Sequence, residues 1–273
     1  IYDAGAGYGQ YTYWLSARLP KADILALDVK EEQVADCNAF FGAIGRNKVK
    51  FAVGDVTKYQ MPSAYDLVVC VDVMEHILED EAALRCYSTS LKPGGMLVIS
   101  TPSDQGGSDV HDEGEGSFIE EHVRDGYNID DLKAKCLRNG FSKVEARYSY
   151  GTPGKISWRL SMKWPLLMLN TSKLFFIILP FYYVLTYPFA YLLNWLDVSI
   201  THSTGTGLIV KASVNGALAP ALLLALSIVV NWPLADGEPV MAPLEVFNAN
   251  PGGSTDGGTT ANEVSNGLVA VIW

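Results

Sequence analysis

The sequence is short of positive charge, histidine and cysteine, and each shortage removes a class of function. Lys and Arg number 20 against 30 Asp and Glu, for a formal net charge of −10. Nucleic-acid affinity comes from clustered cations that release counterions, and no basic stripe is present, so no nucleic-acid partner is expected. The four cysteines, Cys37, Cys70, Cys86 and Cys136, form no Cys-x-x-Cys pair and stand apart from the four histidines. No metal site is therefore expected, and the thiols read as reduced and structural in a cytoplasmic protein. There is also no initiating methionine: Ile1 leads straight into an apolar strand and a glycine loop. A preceding segment is expected from that start.

What is present is an alternation of short apolar runs with amphipathic stretches through residue 150. That alternation favours βαβ units around a parallel sheet, an α/β doubly wound fold of Rossmann-like type. Strands are expected near residues 1–4, 22–28, 48–53, 65–71, 96–101 and 142–150, with a last one over 207–212. Helices are expected after Gly9, at Glu31, near Asp80 and at Asn128, where Asn128 caps the helix and Asp130 and Asp131 favour its first turn.

Two later stretches break the pattern. Residues 164–195 are rich in Leu, Phe, Tyr and Ile, with Lys173 as their lone charge before residue 195. Pro180 and Pro188 are expected to cut this stretch into pieces too short to span a bilayer, as a helical hairpin or a pair lying at a membrane interface. Packing on the protein itself is the alternative. Beyond residue 212, ALAPALLLALSIVVNWPLA resembles a membrane segment or signal-like stretch, and a Gly/Ser/Thr/Asn run over 248–266 reads as a flexible linker. One domain over 1–212, with an apolar insertion over 152–205, and a tail over 213–273 is the expected organisation.

The chemistry-bearing motif is Asp3-Ala4-Gly5-Ala6-Gly7-Tyr8-Gly9, at the junction of the first strand and first helix. Glycines there let the backbone turn sharply and approach a ligand with no Cβ in the way. Asp28 closes the second strand, 19 residues past Gly9, where a carboxylate can accept from both hydroxyls of a ribose. Asp55 follows the third strand in VGDV. A glycine loop with a ribose acid serves nicotinamide, flavin and adenosylmethionine binders alike.

The set of motifs resembles that of class I S-adenosylmethionine-dependent methyltransferases, especially the small-molecule group that includes quinone-biosynthesis enzymes. DAGAGYGQ is similar to their first motif, LDV to the second-strand acid with Val29 after it, and VGDV to the adenine-side motif. YDLVVCVDVMEHI and LKPGGMLVIST resemble the fourth- and fifth-strand signatures. The resemblance implies a seven-stranded sheet with its last strand antiparallel, and S-adenosyl-L-methionine across the carboxyl ends of the first strands. By position, Gly5, Gly7, Gly9 and Ala4 would line its methionine portion and Asp3 support its amino group. Asp28 and Val29 would hold the ribose side, Asp55 and Val56 flank the adenine, and Asp72 lie near the methyl group.

The implied reaction is methyl transfer to a small-molecule acceptor, quinone-like or lipid-like, by in-line attack that the enzyme promotes chiefly by alignment. His76 or His122 could take a proton from a hydroxyl acceptor, and His122 and Arg124 are expected to touch substrate; Glu75 is ambiguous. His76 could equally cap or pack at a helix start. The expected setting is cytoplasmic, with peripheral membrane contact through residues 164–195. A nicotinamide-dependent oxidoreductase is the rival enzyme, opposed by the lack of a Tyr-x-x-x-Lys pair. A membrane-associated cofactor binder without turnover is the rival outside catalysis.

Overall fold

A computed structural model of the chain describes residues 1–106 and 123–216, together with the backbone of 241–244 and 268–271. His122 and most of the apolar and glycine-rich tail therefore lie outside the described residues. The chain divides into two compact units, one built from Ile1–Ser149 with a returning strand, the other on Tyr150–Thr201.

The first unit is a seven-stranded sheet. Its strands are β1 (Tyr2–Ala4), β2 (Ile24–Asp28), β3 (Val49–Val53), β4 (Tyr65–Val71), β5 (Leu91–Pro102), β6 (Lys143–Ser149) and β7 (Gly207–Ser213). Their spatial order is β3-β2-β1-β4-β5-β7-β6, parallel except for β7, which runs antiparallel to both β5 and β6. Four helices connect them: α1 (Gln10–Arg18), α2 (Glu31–Ala43), α3 (Asp80–Ser90) and α4 (Ile129–Arg138). The fold class and the antiparallel last strand follow the expectation drawn from the motifs.

The reason is burial on both faces. β4 reads YDLVVCV with almost every residue buried, as a central parallel strand must be when helices cover both sides. Neighbouring residues point to opposite faces: Leu27 belongs to the core that also holds Val68, Leu97 and residues of α3 and α4, while Ala26 belongs to the one that holds Val34 and Phe41 of α2. Asn128 caps α4 as expected, its side chain accepting from Asp130 N at 3.0 Å and Asp131 N at 3.3 Å. β5 begins five residues earlier than its apolar core, because Leu91 already pairs with Tyr65 before a bulge re-registers the strands. All four cysteines are buried and unbridged.

The second unit is helical: α5 (Thr152–Trp158), a π turn over Arg159–Lys163, α6 (Trp164–Thr171), a 3-10 turn over Lys173–Ile177 and α7 (Leu179–Ser199). One expectation is corrected here. Pro180 lies in the first turn of α7, where a missing N–H costs nothing, but Pro188 sits inside the helix without ending it. Packing on α5 and the π turn holds both halves of α7: Tyr182 Oη donates to Leu160 O at 2.7 Å, Ser157 Oγ to Ala190 O at 2.7 Å, and Gly154 N to Asp197 Oδ1 at 2.9 Å. Among the described residues, no helix is long and apolar enough to cross a membrane. The backbone of Met241–Leu244 pairs antiparallel with Leu268–Val271 as β8 and β9, which the composition of the tail did not announce.

Candidate cofactor and catalytic site

The glycine loop sits between the carboxyl end of β1 and the start of α1. Gly5, Gly7 and Gly9 all have positive φ, +76°, +52° and +74°, a region that side chains bearing a Cβ adopt only under strain. The loop folds back onto β2, with Gly5 N and Ala6 N both donating to Leu27 O at 2.8 and 2.9 Å. Gly9 and Gly7 differ in what surrounds them. A Cβ on Gly9 would stand 2.7 Å from the Phe51 ring, so Gly9 is needed for packing, whereas a Cβ on Gly7 would meet nothing within 4 Å. Gly7 faces open space.

Asp28 closes that space on one side. Its carboxylate accepts from Gly7 N at 2.8 Å and from Lys30 N at 3.0 Å, which fixes its orientation. A carboxylate has about four acceptor positions, so two backbone bonds leave capacity for further donors such as ribose hydroxyls. Gly54 N also donates to Asp28 O at 2.9 Å, drawing the end of β3 to the same edge. Val29, next along, is exposed with its side chain available to an apolar ring.

Asp3 lies beneath the loop, buried, and accepts a hydrogen bond from Thr12 Oγ1 of α1. Burial pushes its carboxyl up to about 6, against the opposing pull of the Thr12 bond. At the end of β4, Asp72 takes φ +52° and its N–H donates to Ser100 O at 2.9 Å, so the strain is held by a bond to β5. Desolvation, and then the Glu75 carboxylate, push the Asp72 carboxyl up to about 8. Asp72 itself is exposed, and the Glu75 carboxylate beside it favours the protonated form. Glu75 is buried and accepts from Thr101 Oγ1 at 3.0 Å; burial raises its carboxyl too.

Other expected residues are placed differently. Val56 is buried in the main core. Asp55 accepts from Thr57 N at 2.9 Å, Thr57 Oγ1 at 2.6 Å and Lys58 Nζ at 2.8 Å, contacts that pull its carboxyl down to about 2. It is thus tied up as the brace of its own turn. His76 ends the 3-10 turn Met74–His76, beside Glu75. Arg124 departs most from expectation: it ion-pairs with Asp80, donates to Ile77 O at 2.7 Å and lies over the Tyr127 ring at 4.8 Å. Those contacts spend its guanidinium on the protein's own frame, and the sequence held no sign of them because Asp80 is 44 residues away.

Two residues that motif reading passed over belong to this edge. Thr12 holds Asp3, and Tyr11 is half-buried, its phenol raised by burial and then by the carboxylates of Asp72 and Asp3. Both sit on α1 directly after the glycine loop, so the helix register could have pointed to them. Among the described residues no cluster of His, Cys, Asp and Glu is grouped as a metal site.

A doubly wound sheet in the order 3-2-1-4-5-7-6, with a positive-φ glycine loop bound to the acid of the next strand, defines a class I methyltransferase fold. Residues 1–95 match the methyltransferase-domain family. The ubiquinone biosynthesis O-methyltransferase of Chromobacterium violaceum is 30% identical over 101 residues, 37% of this chain and 43% of that protein. The mitochondrial ubiquinone biosynthesis O-methyltransferase of Homo sapiens is 32% identical over 105 residues, 37% of this chain and 28% of that protein. The chain thus spans less than half the length of these relatives. Among solved structures, phosphoethanolamine N-methyltransferase 2 of Haemonchus contortus, in complex with S-adenosyl-L-methionine, has a TM-score of 0.57 at 16% identity, covering 78% of this chain and 48% of that one. The [4+2]-cyclase SpnF has a TM-score of 0.54 at 18% identity, covering 79% and 74%. A cyclase on the same fold means that the fold by itself does not name the reaction.

Proposed function

We propose that this protein transfers a methyl group from S-adenosyl-L-methionine to a small-molecule acceptor, quinone-like or otherwise lipid-like. The observation that carries the reading is the junction of Gly7 and Asp28. It combines open space beside a backbone that only glycine adopts readily with an oriented carboxylate that has acceptor capacity to spare. The residues fit the cofactor: Gly5 and Gly7 with Ala4 would hold its methionine portion, Asp3 its amino group, Asp28 and Val29 its ribose side. Asp55 and Val56 would mark the adenine side through their backbone. Bound there, S-adenosyl-L-methionine supplies an electrophilic methyl on sulfonium for a nucleophile to attack in line.

The chain's own work is alignment and, for a hydroxyl acceptor, removal of a proton. Among the described residues, His76 and Asp72 both follow the end of β4, and either could take that proton, Asp72 only where its raised carboxyl is ionised. Thr101 steadies the neighbouring Glu75. His122, outside the described residues, keeps its place as a second candidate base and substrate contact. Quinone-like acceptors are supported by the two ubiquinone-biosynthesis relatives, and lipid-like ones by the apolar second unit. The family of residues 1–95 lends nothing to the nicotinamide reading.

The test is calorimetric titration with S-adenosyl-L-methionine and, separately, NAD, followed by incubation with methyl-labelled cofactor and separate lipid and aqueous extracts. Binding of the first ligand alone with label entering the lipid extract supports the reading. Tight binding with no label transferred to either extract would favour a cofactor binder without turnover.

A further inference from the structure

β3 is the edge strand of the seven-stranded sheet, with β2 on one side and no further strand on the other among the described residues. An edge leaves main-chain groups without a ladder partner. At Phe51 both such groups are taken by one side chain: Asn38 Nδ2 donates to Phe51 O at 3.0 Å, and Phe51 N donates to Asn38 Oδ1 at 3.0 Å. A carboxamide carries a donor and an acceptor side by side, as a peptide group does, so Asn38 of α2 meets Phe51 as a neighbouring strand would. Asn38 itself is exposed.

Phe51 is where this edge meets the glycine loop. Its ring is buried, and the tip of that ring stands 2.7 Å from where a Cβ on Gly9 would lie. Phe41 of α2 completes the contact, its ring centroid 5.0 Å from that of Phe51 and its edge 3.2 Å from the same Cβ position. One residue before Asn38, Cys37 Sγ donates to Gly7 O at 3.7 Å. One turn of α2 therefore reaches Gly7 directly and Gly9 through two rings. Close-packed groups have little free volume, so a shift in one displaces the next. If the main chain of Phe51 drifted from α2, its ring would withdraw from under Gly9, and the loop would lose a support that Asp28 does not supply.

We propose that Asn38 is a positioning residue for the cofactor loop, acting through Phe51. Asp28 holds the loop from β2 by accepting from Gly7 N, and Asn38 fixes from α2 the strand whose ring lies against Gly9. This deepens the proposed cofactor site and rests on that reading for its effect on binding alone. The link from Asn38 to Gly9 stands on the contacts themselves.

The full chain is compared with Asn38→Ala and Asn38→Asp by amide hydrogen exchange, melting and titration with S-adenosyl-L-methionine. In the parent, Gly7 N is bonded to Asp28 and Gly9 N to Ala6 O at 2.8 Å. In Asn38→Ala these two amides are expected to exchange about tenfold faster relative to those of Val68 and Val69 in β4, and cofactor affinity to fall roughly fivefold or more. Asn38→Asp keeps the acceptor for Phe51 N but sets a carboxylate against Phe51 O, so it should lose at least as much despite its equal size. In a Phe51→Leu background, which takes the ring away from Gly9, Asn38→Ala should change either readout by less than about twofold.

Exchange that rises equally in β4 and the loop overturns the proposal, as does a lower melting temperature with loop exchange and affinity at the parent values; either makes Asn38 a general stabiliser. An undiminished effect of Asn38→Ala beside Phe51→Leu overturns the route through Phe51. If Phe51→Leu fails to fold, the two Asn38 variants decide by loop exchange, because their site is exposed and their substitutions leave the core intact. A parent chain that does not bind S-adenosyl-L-methionine strikes at the functional reading, while the exchange of Gly7 and Gly9 still decides this one.

Discussion

The N–H of Gly7 donates to the carboxylate of Asp28 at 2.8 Å, joining the loop after β1 to the end of β2 across 21 residues of chain. One hydrogen bond thereby sets both the shape of the loop and the aim of the acid. Asp28→Ala should weaken adenosylmethionine binding by about 1–3 kcal/mol, because the ligand loses a charged acceptor and the loop loses its tether. Calorimetry giving the parent affinity would exclude the proposed ribose contact.

Gly7→Val tests the open space beside the loop. No atom stands within 4 Å of the new Cβ, but φ at +52° strains a branched residue by roughly 1–3 kcal/mol. The variant should therefore melt cooperatively, several degrees lower, and fail to bind cofactor. Normal binding would mean that the loop is only a structural turn.

Asp3 gives a pH dependence of defined sign. Its ordinary value of 3.8 rises to about 6 in the fold, so the folded state holds the proton more tightly than the unfolded one. Stability falls as pH rises from about 4 to 6, and the full penalty of roughly 2–3 kcal/mol persists above that window. Asp3→Asn should thus raise the melting temperature of the cofactor-free chain at pH 8 and have little effect at pH 4. It should also weaken cofactor binding. An equal shift at both pH values would count against a buried, raised carboxyl.

Asp80 behaves oppositely. Burial pushes its carboxyl up, but Lys135, Tyr127 and Arg124 together outweigh burial and hold it below the usual value. Its stabilisation is present above pH 4 and is lost as pH falls through the lowered value. Asp80→Asn should cost about 3–5 kcal/mol at neutral pH by stranding partners in a largely buried site. Denaturant unfolding at pH 7 measures it, and a change under 1 kcal/mol would show that the network is solvated.

The apolar runs, the caps and the glycine spacing are local properties, and they determined the fold class, the seven strands and the place of the glycine loop. β4 spans the expected residues 65–71, and Asn128 caps α4, because burial on both faces and an unpaired helix end select residues one by one along the chain. Long-range contacts decided the rest. Arg124 is taken up by Asp80, Glu75 is turned inward onto Thr101, and Pro188 is carried inside α7 by bonds to α5. The exposure of Phe181, Val184 and Leu185 on α7 belongs to the same group. Composition records how apolar a helix is, but only the neighbour that takes its hydroxyls determines which side is left facing out.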